Sequence, residues 1–594
     1  MTHPIILAAG FGRRMRPLSD ALHKTMITLH HDRTILGGIL HALRKEGFES
    51  ATIVTGYRAQ DVMDYARTHA GGLRLDFVHN PRYEATNNIH SLALAFEHVD
   101  VGAGILLIES DLVFDHEVLA QLVRSPHADV ALVDRYRPGM DGTVVQRTAD
   151  GYVERVVPSA QQGPDFEFDK FFKTLNMYKF SGPFCEGAFG RLLKFYSHQV
   201  NDNCFYELVI GMIVATGQSR IFAEVLDGPD WAEVDDPIDL QQARFLMDPD
   251  SRYALLTQAW GGYWGYDITD FAFIRNMYFP TPAVVAEMRM QLPELMVNYG
   301  SAQTVIDQKV AWLLGCDAGE VVALNGASQA FPLLSGMLSG RPALIPGPTF
   351  GEWARCFPAA QVYDDDASGS LPEQLPPGAV LVVVNPNNPT GTSYSTAAIL
   401  RIARANPEAT VLVDESFIDF SEQPSVLGAD PGPNIAVLKS LSKSLGVPGL
   451  RLGYLASRDT DLVAAVRAAL PVWNLNSVAE KFLELLFKNR DVVAASYAAT
   501  VTDRQDLRAL LLQSEIVRHV WPSSAQFLLT ELRLNRVQGL RLLETLMADH
   551  KILVKDVSAR WPDDVTRLRV AVRTPTENRR LVAALNQKKG EVKK

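Results

Sequence analysis

The sequence predicts an α/β protein of two successive units, each a sheet of mostly parallel strands covered by helices. Three observations lead there. The chain has 594 residues, more than one hydrophobic core usually serves. Short apolar, β-rich runs alternate with longer amphipathic patterns almost throughout, the rhythm of strands joined by helical crossovers. That rhythm breaks once, at residues 246–270, LMDPDSRYALLTQAWGGYWGYDITD, rich in Gly, Asp and aromatics. The break divides the chain into a unit at 1–245, a linker at 246–265 and a second unit at 266–594.

In the first unit the strand candidates are PIILAA, ATIVTG, LDFVHN and GILLIES, with ILGGILHALRKEGF between them carrying apolar residues at helical spacing. In the second, VVALNG, PALIPG, VLVVVNP, TVLVDES and IAVLKS read as strands and VIDQKVAWLLGC as a helix. The tail QKKGEVKK reads as a frayed, solvated end.

Composition narrows the function classes. The hydrophobic fraction of 47% and charged fraction of 21% are those of a soluble globular protein. A net charge of −11 argues against nucleic acid or an anionic membrane as partner. Cys185, Cys204, Cys316 and Cys356 lie far apart with no CxxC pair, which suits a reducing, cytoplasmic setting. No leader-like segment opens the sequence, and no run approaches the ~20 apolar residues of a membrane span.

The first chemical signature is LAAGFGRRMRPLSDALHKTM. Strand IILAA runs into the turn Gly10-Phe11-Gly12, followed by Arg13, Arg14, Arg16 and Lys24. Glycines let backbone N–H groups face a phosphate, and the cations neutralise a transferring phosphoryl group. GILLIESDLVF sets Asp111 just past a strand's C-terminal end, where open α/β sheets bind ligands. WAEVDDPIDL adds Glu233 and Asp235 at i, i+2, on one side of an extended segment. Together these acids form an oxygen set suited to Mg²⁺.

Residues 1–245 resemble the nucleotidyltransferase family of sugar-nucleotide pyrophosphorylases, most closely its phosphocholine cytidylyltransferase branch. LAAGFGRRM with HKTM, VTGY, NPRYEATNNIHSL and the ESD and EVDD acids fall in that family's order. The loop ends in HK where sugar-type relatives have PK. The resemblance implies a Rossmann-like domain in which Arg14 and Lys24 stabilise the α-phosphate and leaving pyrophosphate. Leu7, Ala9, Gly10, Gly12, Asn87, Asn88 and Ser91 would surround nucleotide or acceptor, and Asp111, Glu233 and Asp235 would hold Mg²⁺. The implied chemistry is in-line attack of a phosphate or phosphonate oxygen on CTP, achieved by positioning and charge neutralisation. A sugar 1-phosphate is the alternative acceptor.

The second signature is SLSKSLGVPGLRLGY, residues 440–454. A lysine there becomes useful as a Schiff base with a carbonyl cofactor, above all pyridoxal 5′-phosphate. That cofactor needs phosphate donors, a carboxylate at its ring nitrogen, a donor at O3′ and a stacking ring. Beside Lys443 stand Ser440 and Arg451 for the phosphate, with the small-residue turn Gly326-Ala327-Ser328. Asp414 suits the ring nitrogen, Asn388 the O3′ and Phe350 the stacking position.

Residues 266–590 resemble the fold-type I aminotransferase family, in the branch of histidinol-phosphate aminotransferase and threonine-phosphate decarboxylase. NPNNPTG, DES and SLSKSLGVPGLRLGY carry the resemblance. It implies a large α/β domain and a small C-terminal α+β subdomain at about 475–594. It also implies a homodimer in which Tyr299 reaches the neighbour's cofactor phosphate, and Arg569 as the α-carboxylate site. Arg573 and Asn276 would assist a substrate phosphate or phosphonate. Two departures stand out. DESFIDF puts Phe417 where most aminotransferases have a tyrosine, as in the decarboxylase branch, and Lys555 stands where relatives use arginine for the distal phosphate.

Two such halves in one chain resemble the bifunctional cytidylyltransferase/PLP decarboxylases of phosphonate-antibiotic pathways, which act on 2-amino-4-phosphonobutyrate as its CMP conjugate. The expectation is CMP transfer to a small phosphonate or phosphate amino acid, then loss of CO₂. Transamination is the alternative for the second half, and a non-catalytic sensor the alternative for the whole.

Overall fold

The computed structural model describes residues 2–31, 33–137, 139–163, 165–228, 230–365 and 371–587; the tail expected to fray lies outside them from 588 onward. The chain forms two compact units, Met1–Tyr266 and Asp267–Lys594.

In the first unit, His3–Ala8 lies between Ile105–Glu109 and Ser50–Thr55, all parallel, and Arg74–His79 extends the row. Strand alternation feeds two cores. Ile5 and Leu7 pack with Leu92, Phe96 and Tyr178 on one face, Ile6 and Ala8 with Leu36, Leu40 and Ile53 on the other. Helix Ile35–Lys45 starts where Thr34 Oγ1 accepts the Gly37 N–H, and it buries Leu36, Leu40 and Leu43.

The parallel order stops at Ile105–Glu109. Phe172–Phe180 pairs antiparallel with it, Met177 opposite Ile108, making this nine-stranded sheet mixed. Apolar alternation cannot foretell this, since a two-residue period is common to both directions. Residues 246–265, expected as a linker, instead hold helix Arg252–Ala259 packed on the first unit. Tyr253 and Leu256 are buried, and Arg252 Nε donates to the Phe245 carbonyl at 2.8 Å.

The second unit has a seven-stranded sheet. Its order is Val321–Asn325, Leu452–Ser457, Ile435–Ser440, Thr410–Asp414, Val380–Val384, Ala343–Gly347, Gln361–Asp364. Leu452–Ser457 runs antiparallel to both neighbours; the remaining pairs are parallel. A separate antiparallel sheet of Val517–Val520, Phe527–Leu532, Arg567–Ala571 and Lys555–Asp556 packs with helices Arg490–Leu512 and Pro575–Asn586. This is the small α+β part. Among the described residues no helix is long and apolar enough to cross a membrane.

Candidate active sites

At the C-terminal edge of the first sheet lies a cavity of about 370 Å³. Leu7, Ala9, Gly10, Gly12, Arg14, Lys24, Asn87, Asn88, Ser91, Asp111, Glu233 and Asp235 all line it. The strands explain the gathering. His3–Ala8 delivers the glycine loop, and Ile105–Glu109 ends two residues before Asp111. The ribbon of Leu112–Phe114 with Trp231–Glu233 sets Leu112 opposite Glu233. Gly12 sits at φ 65°, and a Cβ there would lie 3.3 Å from Lys24 Cβ, so glycine keeps loop and lysine together.

Lys24 is the electrostatic centre of this pocket. Its Nζ donates to Asp111 Oδ2 at 2.9 Å and Asp235 Oδ1 at 3.3 Å, its side chain only 12% exposed. Burial opposes its charge, but the two acids win and hold its pKa above the ordinary lysine value. Arg14 reaches Asp235 at 2.6 Å and Asp141 at 3.4 Å. Glu233 pairs with the buried Lys173 at 3.0 Å and accepts from Asn176 Nδ2 at 3.2 Å. Among the described residues, no three or more His, Cys, Asp or Glu side chains form a ready metal centre. The expected Mg²⁺ acids are instead engaged by lysines. Their chemistry still fits a hard cation: Asp111 Oδ1 is buried with no hydrogen-bond partner.

Sequence reading missed a second group of acids in the same wall. Glu109 accepts from Asn88 Nδ2 at 3.0 Å, and Glu207 is buried with Oε2 unpartnered. Burial pushes the Glu207 carboxyl up to about 7. Burial raises Glu109 too, helped by Asp111 and Glu207. His23, also missed, is buried with its ring 3.1 Å from the Gly10 carbonyl and 2.9 Å from Thr25 Oγ1, bracing the loop. Burial and then Lys24 push it down to about 4, so it is neutral. The HK pair was visible in the sequence as the only signal of it.

In the second unit the expected residues share one sheet edge. Asp414 ends its strand opposite Val384 and Leu438, and Asn388 follows the next strand. Ser440 ends a third strand opposite Gly453, beside Arg451. Gly326, at φ 73°, leads into Ala327 and Ser328; a Cβ there would meet Arg451 Nη2 at 2.4 Å. Arg451 donates to Ser328 Oγ at 2.8 Å, so a guanidinium, a hydroxyl and a small-residue turn meet, groups of the kind that bind a phosphate. Phe350, half-buried, caps helix Gly351–Cys356.

Lys443 lies in the short helix Leu441–Ser444. Burial, then Arg569 and Arg451, lower its pKa to about 8, giving a partly neutral amine near physiological pH. Asp414 is buried; its Oδ1 accepts from Ser416 Oγ at 2.6 Å and its Oδ2 from Trp353 Nε1 at 3.3 Å. Burial raises its pKa while those donors oppose the rise. An aldehyde cofactor with a phosphate and a basic ring nitrogen fits these groups: a low-pKa amine, a donor-fixed buried carboxylate and the Arg451–Ser328 pair. Phe417 is core, packed with Ile274, Ala525, Phe527 and Ala571, and offers no hydroxyl.

Arg569 Nη1 donates to Asn388 Oδ1 at 2.9 Å and Nη2 to the Ala272 carbonyl, leaving Nε buried and unpartnered. Lys555 lies directly across the strand pair from it. Burial lowers both, and Arg560 lowers both further, Arg569 to about 10. One expectation needs correction. Asn276 donates to the Ser444 carbonyl at 2.8 Å and Ser496 Oγ at 2.7 Å, so its amide braces the Lys443 loop and has no hydrogen left for a substrate. Arg573 donates to the Asp270 carbonyl and to Glu577, at 2.8 and 2.7 Å, and like Arg569 leaves its Nε buried and unpartnered. Tyr299 is 77% exposed and stacks on Trp473 with centroids 4.3 Å apart.

Residues 276–585 match the family Aminotransferase class I and II, and residues 4–161 the MobA-like NTP transferase domain. The chain is similar to CMP-5′-(3-aminopropyl)phosphonate synthase of Streptomyces rubellomurinus, 31% identical over 98% of this chain and 94% of that protein. It is 29% identical to histidinol-phosphate aminotransferase 1 of Burkholderia mallei over 49% of this chain and 81% of that one. The crystal structure of L-threonine-O-3-phosphate decarboxylase from Porphyromonas gingivalis aligns with 54% of this chain and 98% of its own, at 21% identity and a TM-score of 0.49. The chain therefore belongs to the class I and II aminotransferases, a pyridoxal-phosphate-dependent family, carried here behind a nucleotidyltransferase domain in one bifunctional enzyme.

Proposed function

We propose that the first unit transfers CMP from CTP to an amino acid bearing a phosphonate or phosphate, and that the second decarboxylates the conjugate. The observation that carries this is the similarity to the Streptomyces synthase across both halves in the same order. CMP-2-amino-4-phosphonobutyrate giving CMP-(3-aminopropyl)phosphonate is the specific reaction.

In the transfer pocket, Arg14 and Lys24 bind the triphosphate and offset charge at the α-phosphorus and the departing pyrophosphate. Asp111, Asp235 and Glu233 would hold Mg²⁺, which supplies further charge neutralisation. Glu207 supports an acceptor with an ammonium group, since a buried, unpartnered carboxylate oxygen rewards a cation. In the second unit, bound pyridoxal phosphate supplies the electron sink for bond cleavage at Cα. Arg569 would orient the α-carboxylate, Asp414 would sit against the ring nitrogen, and Lys443 would hold the cofactor and move a proton. Lys555 meets the distal anion as a point charge, without arginine's fork.

The exposed apolar residues Met290, Met296, Val297 and Val472, with Tyr299 and Trp473, support a homodimer through the second unit; the four free cysteines support a reducing, cytoplasmic setting. Mass spectrometry of products from CTP, Mg²⁺ and a panel of aminophosphonates, phosphoamino acids and sugar phosphates tests the reading. CO₂ release without any 2-oxo acid supports decarboxylation. A strict need for 2-oxoglutarate, with glutamate formed, selects transamination, the reading favoured by the aminotransferase relatives.

A further inference from the structure

We infer that the first unit carries a second small-molecule site, for a phosphate-bearing, ring-containing anion of nucleotide size that acts as an effector of the transfer pocket. The site is a cavity of about 440 Å³ that shares no lining residue with the transfer cavity.

Its walls are unusually basic for a chain of net charge −11. Arg33, His41, Arg44, Lys45 and His116 converge on it. Arg44 Nη2 lies 3.4 Å from His41 Nδ1, a cation facing an imidazole and not an acid. Burial lowers the His41 pKa, and each charged neighbour acting on it (Arg44, Arg33, Lys45 and His116) lowers it further. Asp115, the acid at the wall, is held by His116 at 2.9 Å. Among the described residues Arg33, Arg44 and Lys45 form no ion pair. Three cations without a described acid partner are stabilised by a bound anion. Phe114 and Met247 give an apolar floor, and Tyr65 stacks on His69 at 4.0 Å beside it, a surface suited to a ring.

The helix behind the cavity supplies an independent sign. Glycine in a helix interior costs stability, and ILGGIL carries two. Gly37 is explained by the Tyr65 hydroxyl, 2.9 Å from where a Cβ would sit. Gly38 has nothing within 4 Å of that position, so packing does not call for it. Its missing side chain leaves the cavity open.

Two elements connect the cavity to the chemistry. Leu112–Phe114 floors it, follows directly on Asp111 and sets Leu112 opposite Glu233. Helix Pro237–Met247 begins two residues after Asp235 and ends in the cavity with Met247. Each has a transfer-pocket acid at one end and the second site at the other.

Calorimetric titration of the full-length chain with CMP tests this. A CMP site is expected that Gly38→Leu abolishes by filling open space, and that Lys45→Glu weakens roughly tenfold or more. Lys24→Ala leaves that site intact while removing any binding in the transfer pocket. In rate assays CMP lowers kcat in the native chain, while Gly38→Leu shows only competition with CTP and an unchanged rate without CMP. CMP binding indifferent to both Gly38→Leu and Lys45→Glu overturns the inference. The titration reads binding alone, so its outcome is independent of whether the first unit proves to transfer CMP.

Discussion

The two active sites solve opposite electrostatic problems. The transfer pocket concentrates acids: Asp111, Asp235, Glu233, Glu109 and Glu207 crowd one wall, with Lys24 and Lys173 as internal counter-ions. The second unit's site gathers cations: Arg569 and Arg451 act on Lys443, and Lys555 lies across the strand pair from Arg569. The shifts mirror this. Burial lifts Glu207 to about 7 in the first, and lowers Lys443 to about 8 in the second. On the proposed reading, one site takes a metal and an ammonium group, the other a phosphate and a carboxylate. The difference teaches that substrate charge can be read from which buried groups lack a partner.

Separate sites should fail separately, and the largest effect tests that first. Lys443→Ala should cut CO₂ release at least roughly a thousandfold while pyrophosphate release continues; parallel loss of both would break the comparison. Lys24→Ala should slow pyrophosphate release by about 10²–10³-fold. CO₂ evolution from a pre-formed CMP conjugate should be unchanged, as measured on the purified chain.

A pH series sharpens the contrast. Glu207 is neutral below its folded pKa of about 7 and ionised above it. The KM for an ammonium-bearing acceptor should therefore fall as pH rises through 7, by up to roughly tenfold per unit below it. Glu207→Gln should flatten that slope. Because its folded pKa lies above the unfolded value, Glu207 favours folding at low pH, and that contribution is lost as pH rises through 7. Glu207→Gln should accordingly raise Tm at pH 8 more than at pH 5. Smallest, Asn276→Ala should cost about 1–3 kcal/mol by leaving the Ser444 carbonyl and Ser496 short of a donor. A urea melt reads it, with weakened cofactor retention.

Much of this was legible because strand ends and loop glycines are local features. Asp111 and Asp414 sit at or just past strand ends, and Lys24 and Lys443 in short helical turns, where turn chemistry and apolar runs announce them. Glu207 was not, because FYELVIGM reads as an apolar helix and the acid's burial arises only when that helix packs on the sheet. Lys173 belongs to a strand whose reversed direction leaves no mark in its alternation. Asn276 was expected near a substrate phosphate from the family resemblance; its hydrogen bond to the Ser444 carbonyl is set by a partner 168 residues away in the sequence. Helix Arg252–Ala259 sat in a segment whose Gly and aromatic content resembled a connector.

Lys24, gripped by Asp111 and Asp235, also bears on how the enzyme waits between turnovers. An organic cation already sits where it offsets mutual repulsion of the carboxylates. Exhaustive chelation should silence nucleotide chemistry yet leave the melting profile of the first unit where it was.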